Sequence, residues 1–149
     1  MADPDQGQVV RELEQRVREL EAKLSASEAA TAFLDSVLRA VPAFVLNVDP
    51  NLRIRYLNRG QPGWNAASAV GRHISEFIKP DDVRRAREEI ERARTTGKIS
   101  SYPVTTIGLN SRPSCYVTYV APIQEPDGSI GVCLAAVDVS EERARELAL

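Results

Sequence analysis

Residues 115–143 read CYVTYVAPIQEPDGSIGVCLAAVDVSEER. Two apolar, β-branched runs, about 114–123 and 130–139, flank Pro126–Gly128, whose residues favour a turn. The pair reads as an antiparallel hairpin. Side chains alternate along a strand, so Tyr116, Thr118 and Val120 share one face. Cys115, Val117, Tyr119 and Ala121 share the other. The apolar run ends at Val139. Ser140 is then placed to offer its hydroxyl to the first N–H groups of a helix, and Glu141 and Glu142 stand where a helix dipole favours them. That helix has few apolar residues to bury.

The same patterning continues upstream. AFVLNV (43–48) and RIRYLN (53–58) read as two strands joined at DPNL. In GQPGW (60–64), Gly60, Pro62 and Gly63 break regular helix. Residues 65–70 fit one helical turn and 74–78 another. KPDDVRRAREEIERARTTG (79–97) predicts a longer helix, with Asp81 as N-cap and Gly97 as its stop. Val83, Ala86, Ile90 and Ala93 mark its apolar face. A strand over about 99–107 contains Pro103, which places it at a sheet edge. The order is that of an α+β domain: a five-stranded antiparallel sheet with helices on one face.

A long helix precedes it. Val10, Leu13, Val17, Leu20 and Leu24 recur at alternating steps of three and four, a heptad seam with valine and leucine at a and leucine at d. Valine at a with leucine at d favours two parallel strands. The flanks agree: Arg16 and Lys23 occupy g, and Glu14, Glu21 and Glu28 occupy e. In a parallel homodimer Arg16 faces Glu21 of the partner subunit, and Lys23 faces Glu28 of the partner subunit. Each exposed pair contributes roughly 0.5 kcal/mol, so their role is register and orientation. The frame continues through Ser27, Thr31, Leu34, Leu38 and Val41, while Ser25-x-x-Glu28 has the form of a capping box. Either one helix runs to about Ala40 with a weak middle, or it breaks near Ser25. Pro42 ends it.

Composition narrows the function. The chain has 149 residues with 43% hydrophobic residues, and the net charge of −2 gives no reason to expect nucleic acid or an anionic membrane as partner. No apolar run approaches a membrane span and the first residues lack a basic-then-apolar leader pattern, which predicts a cytoplasmic protein. Two cysteines and one histidine are too few for a metal cluster. Counted from the turn, Cys133 falls opposite about Val120 and Cys115 opposite about Asp138. That separates them by roughly 16 Å along the strands, beyond the ~7 Å Cα limit of a disulfide, and predicts two free, buried thiols. No nucleophile–base pair and no phosphate loop is visible, so no enzymatic activity is expected. Asp81 and Asp82 are explained by a helix N-terminus.

The succession of PAFVLNVDPNLRIRYLNR, GW at 63–64, VGRHISEFI, KPDDVRRAREEI, APIQEPDGSIGV and DVSEER resembles a PAS domain, a sensory module of signalling proteins. The resemblance covers about Phe33 to Ser140. DVSEER resembles the family's Asp-x-Thr signature, with Ser140 in place of threonine. The resemblance implies strand order 2-1-5-4-3. It divides the chain into an N-terminal coiled-coil segment (1–32), a PAS domain (33–140) and the start of a connector helix (141–149). NRGQPGW is shorter than the matching segment of many members and resembles a subset attached to bacterial histidine kinases. The resemblance also implies a small-molecule cavity, for which Trp64, Phe77, Tyr116 and Thr118 are the candidates, with Trp64 either lining it or plugging it as core packing, and a signal-transmitting role for Asp138 and Ser140. The haem-binding histidines of relatives lie on the long helix, which here has none. His73 sits instead at a loop-to-helix junction, where capping is the expected role, so no cofactor is expected. Flavin binding would need an Asn-Cys-Arg-Phe-Leu-Gln run, and nothing here resembles it. The expected function is a dimeric sensory module. The alternatives are a docking scaffold that senses nothing and a haem- or metabolite-binding sensor.

Overall fold

Strands β1 (Ala43–Val48), β2 (Ile54–Leu57), β3 (Ser100–Ile107), β4 (Pro113–Gln124) and β5 (Ile130–Asp138) form one antiparallel sheet in the order β2-β1-β5-β4-β3. The computed structural model describes residues 4–60, 65–107 and 113–148, so Trp64 and the rest of 61–64 lie outside the described residues. Helices α1 (Pro4–Ala40), α2 (Ala66–Ala69), α3 (Pro80–Thr96) and α4 (Ser140–Ala148), with a 3-10 turn at Ile74–Glu76, complete the order of elements. Two compact units make up the chain, Met1–Ala40 and Val41–Leu149. None of the described helices is long and apolar enough to cross a membrane.

In the first unit α1 is one uninterrupted helix, so Ser25–Thr31 do not break it. No residue in it is buried, and Val10, Leu13, Val17, Leu20 and Leu24 are all at least 50% exposed. Its charges pair along its own surface, Arg16 with Glu19 at 3.6 Å and Arg39 with Asp35 at 3.1 Å.

In the second unit α3 lies on one face of the sheet. Ala86, Ile90 and Ala93 are buried as their spacing predicts, packing with Val48, Ile54, Tyr102, Val120, Val132 and Leu134. Glu89 is buried on the same stripe, at 1% exposure. Gly97 ends α3 in the left-handed region, φ 68°, where a Cβ is disfavoured. The start differs from expectation. The N-cap is Lys79 with no side-chain cap, Pro80 takes the first helical position, and Asp81 and Asp82 fall in the first turn. A proline at that position loses no intrahelical bond, so the helix begins two residues earlier than Asp81 would allow.

The β4–β5 hairpin corrects a register. Gly128 N–H donates to Glu125 O at 2.9 Å, Glu125 N–H to Ser129 O at 2.8 Å, and Gly128 adopts φ 87°. This is a three-residue loop with a left-handed glycine, and its odd length moves the pairing by one. Cys133 therefore faces Ala121, not Val120, and Val139 N–H donates to Cys115 O at 2.8 Å. Both cysteines lie on the face away from α3, half-buried rather than buried, and both are free. Burial raises the Cys133 thiol above its usual range. Pro103 sits on edge strand β3, as its missing N–H requires.

The β1–β2 turn has a feature the sequence did not suggest. Leu52 is 2% exposed yet has φ 62°, the one positive φ outside glycine among the described residues. Asp49 Oδ1 accepts N–H groups of Asn51 and Arg53 at 2.8 and 3.0 Å, which closes the turn. Burial of the leucine side chain offsets a backbone cost of roughly 1–2 kcal/mol.

Candidate functional site

The sheet face under α3 carries several buried polar groups. Tyr102 of β3 pairs with Thr118 of β4, and both are buried. Burial pushes the Tyr102 phenol up to about 12. The Asp82 and Glu89 carboxylates add to the shift, and the Thr118 hydrogen bond and Arg85 oppose it. The Arg85 guanidinium lies 5.9 Å from the Tyr102 ring centroid. One Glu89 oxygen meets Arg92 Nη1 at 3.2 Å and Arg85 Nε at 3.4 Å. The other is buried without a hydrogen-bond partner among the described residues. Burial also raises the Asp82 carboxyl, with Lys79 opposing and Asp81 adding.

Tyr116 and Thr118 face this interior, as alternation requires, and Phe77 packs at its margin. Tyr116 stands 6.4 Å from Phe44, ring to ring, and its phenol is raised by burial and by the Asp138 carboxylate. The candidates Phe77, Tyr116 and Thr118 thus border one core. Tyr102, Glu89 and Arg85 were missed by sequence reasoning. Glu89 had one signal: it falls midway between Ala86 and Ala93 on the apolar stripe of α3. Asn58 is buried as well. Its Nδ2 donates to Ala43 O at 2.9 Å and its Oδ1 accepts Val45 N–H at 2.8 Å, so it clamps the start of β1. His73 caps the 3-10 turn, its Nδ1 accepting Ser75 N–H at 3.1 Å and lying 2.8 Å from Ser75 Oγ. Among the described residues, no group of three or more His, Cys, Asp or Glu side chains is placed to hold a metal ion.

The second locus is the start of α4. Asp138 ends β5 opposite Tyr116. One step further the ladder makes only half of its next exchange, from Val139 N–H to Cys115 O. The Val139 carbonyl instead accepts Arg143 N–H at 3.0 Å, the first bond of the helix. Cys115 N–H would be stranded, and the Ser140 hydroxyl accepts it at 2.9 Å. Ser140 is therefore not the helix cap that local sequence suggested. Asp138 Oδ1 accepts Ser140 N–H at 2.9 Å and takes that capping role. Asp138, Val139 and Ser140 tie the end of the sheet to the first turn of α4.

The profile described as the PAS fold matches residues 38–144, and the chain belongs to the PAS family. Solved structures of similar fold include the PAS domain of an HTR-like protein from Haloarcula marismortui. It is 12% identical, with a TM-score of 0.62 over 79% of this chain and 98% of that one. A PAS domain from Colwellia psychrerythraea is 14% identical, with a TM-score of 0.60 over 75% and 98%. The Vibrio cholerae VqmA dimer is 16% identical, with a TM-score of 0.60 over 72% of this chain and 50% of VqmA. The match thus spans about half the length of VqmA, a protein also solved bound to DPO and in a ligand–DNA complex. No curated protein sequence matches the chain.

Proposed function

We propose that the chain is a cytoplasmic sensory and dimerisation module that transmits a signal to an output domain, such as that of a histidine kinase. The observation that carries this reading is the junction of Cys115 with Val139 and Ser140. Two hydrogen bonds join β4 of the sheet to the first turn of a helix that buries nothing of its own. A change in sheet twist at β4 is delivered to α4 through those bonds. The kinase assignment rests on the resemblance of the NRGQPGW segment, and the region itself has no catalytic role in this reading.

Dimerisation is part of the proposal. The seam of α1 is exposed over its length, and the charges at e and g complement those of a second, parallel copy. A small molecule held near Tyr116, Thr118 and Phe77 is the proposed input. VqmA, of the same fold, supports a dimeric, ligand-responsive role by analogy. Nucleic acid forms no part of the proposal for this region, whose net charge of −2 supplies no electrostatic attraction.

A metabolite panel tests the reading, with thermal shift and amide exchange measured on wild type and Thr118→Val. A compound that stabilises only wild type, and that also alters exchange over Val139–Ala148, supports sensing. A panel that moves neither quantity favours the docking-scaffold reading. Absorbance of the purified protein in the Soret region separates out a haem sensor.

A further inference from the structure

The Ser25–Glu28 motif takes no part in the sensing proposal. A Ser-x-x-Glu sequence is the signature of a helix start, yet Pro4–Ala40 is one continuous helix with residues 25–28 in its interior. The seam fails at the same place. In the frame set by Val10 to Leu24, the next two seam positions are Ser27 and Thr31, and apolar residues resume at Leu34 and Leu38. Two consecutive polar layers bury no apolar surface against a partner helix, so backbone hydrogen bonds alone hold that turn. Beyond it the exposed apolar face broadens. Phe33 is 68% and Val37 44% exposed, and both stand one residue off the seam frame that Leu34, 59% exposed, still follows. Two segments with different apolar faces are joined by one that carries its own N-cap.

We propose that residues 25–31 are a conformational switch within the dimer helix. It interconverts the continuous helix with a broken form in which Ser25 caps a separate helix over 26–40. The proposal rests on the parallel homodimer reading. On breaking, the amides of Ser25, Ala26, Ser27 and Glu28 lose the carbonyls of Glu21, Ala22, Lys23 and Leu24. The Ser25 hydroxyl then accepts Glu28 N–H, and the Glu28 carboxylate accepts Ser25 N–H, so part of the loss is replaced locally. The continuous form couples the rotation of the two segments, and the broken form releases it.

Residue-resolved amide exchange on the whole chain tests this, at concentrations where sedimentation equilibrium finds a dimer. The amides of Ala26, Ser27 and Glu28 are expected to exchange about tenfold or more faster than those of Leu13–Leu24, because they open in a local event. Ser27→Leu with Thr31→Val fills the seam and brings the three amides to the rate of their flanks. Ser25→Ala removes the cap of the broken form and also slows them. Ser36→Ala makes the same gain in helix propensity outside the motif and leaves them unchanged. Uniform protection from Leu13 to Leu38 in a dimeric wild type overturns the switch and leaves the homodimer standing, as does equal slowing by Ser25→Ala and Ser36→Ala. A monomer at every concentration overturns the homodimer and the switch with it.

Discussion

The Ser140 hydroxyl accepts the backbone N–H of Cys115 at 2.9 Å, across 25 residues of sequence. It replaces the carbonyl of Val139, which has gone to Arg143 at the start of α4. Removing the hydroxyl leaves a half-buried donor without its partner. Ser140→Ala is expected to cost about 1–2 kcal/mol in urea denaturation, and Ser140→Thr, which keeps the oxygen, much less. Exchange of the Cys115 amide should rise in the alanine variant and stay near wild type in the threonine variant. Equal stability of all three proteins would remove this contact from the mechanism.

Reversing the charges at g tests the dimer. Arg16→Glu with Lys23→Glu sets glutamates against Glu21 and Glu28 of the partner subunit, and is expected to weaken association by about tenfold or more. Adding Glu21→Lys and Glu28→Lys should restore it, because the pairs are then re-formed with opposite sign. Sedimentation equilibrium reads both steps. A quadruple variant as weak as the double one would show that the charges do not meet across the seam.

Tyr102 makes stability depend on alkaline pH. Below pH 10 the folded and unfolded chains both keep the phenolic proton. Between the usual value of 10.0 and about 12 the unfolded chain has lost it and the folded chain still holds it. Stability should therefore fall as pH rises through that window. Tyr116 acts in the same direction. Ultraviolet titration should show a tyrosine step at about 12. Tyr102→Phe should abolish that step and flatten the alkaline loss. A titration with no such step contradicts the burial assigned to Tyr102.

Gly131 leaves room for the Glu125 side chain. A Cβ there would run into the carboxylate of Glu125, which accepts Asn47 Nδ2–H at 3.2 Å and lies 3.7 Å from Arg55 Nη2. Gly131→Ala is expected to push the Glu125 side chain aside and, through its lost contacts with Asn47 and Arg55, to cost about 1 kcal/mol or less. In a Glu125→Ala chain the same substitution should add little further loss, because the obstructing atoms are gone. Additive losses in the double variant would place the cost elsewhere.

Features that repeat over short distances were legible in the chain's local pattern. Strand alternation placed Tyr116 and Thr118 on the inner face, the 3.6-residue period placed Ala86, Ile90 and Ala93 on the buried face of α3, and Gly97 and Pro103 marked a helix end and an edge strand. Each depends on a few neighbouring residues and on backbone sterics. The family resemblance added the strand order. Tertiary structure decided the rest. The burial of Glu89 depends on which strand lies beneath its helix, and Leu52 takes a left-handed backbone because the core claims its side chain. Ser140 has the composition of a helix cap, but an N–H stranded 25 residues away takes its hydroxyl. A hydrogen-bonding group goes to whichever unsatisfied partner the fold brings within reach, and only the assembled sheet puts Cys115 beside Ser140.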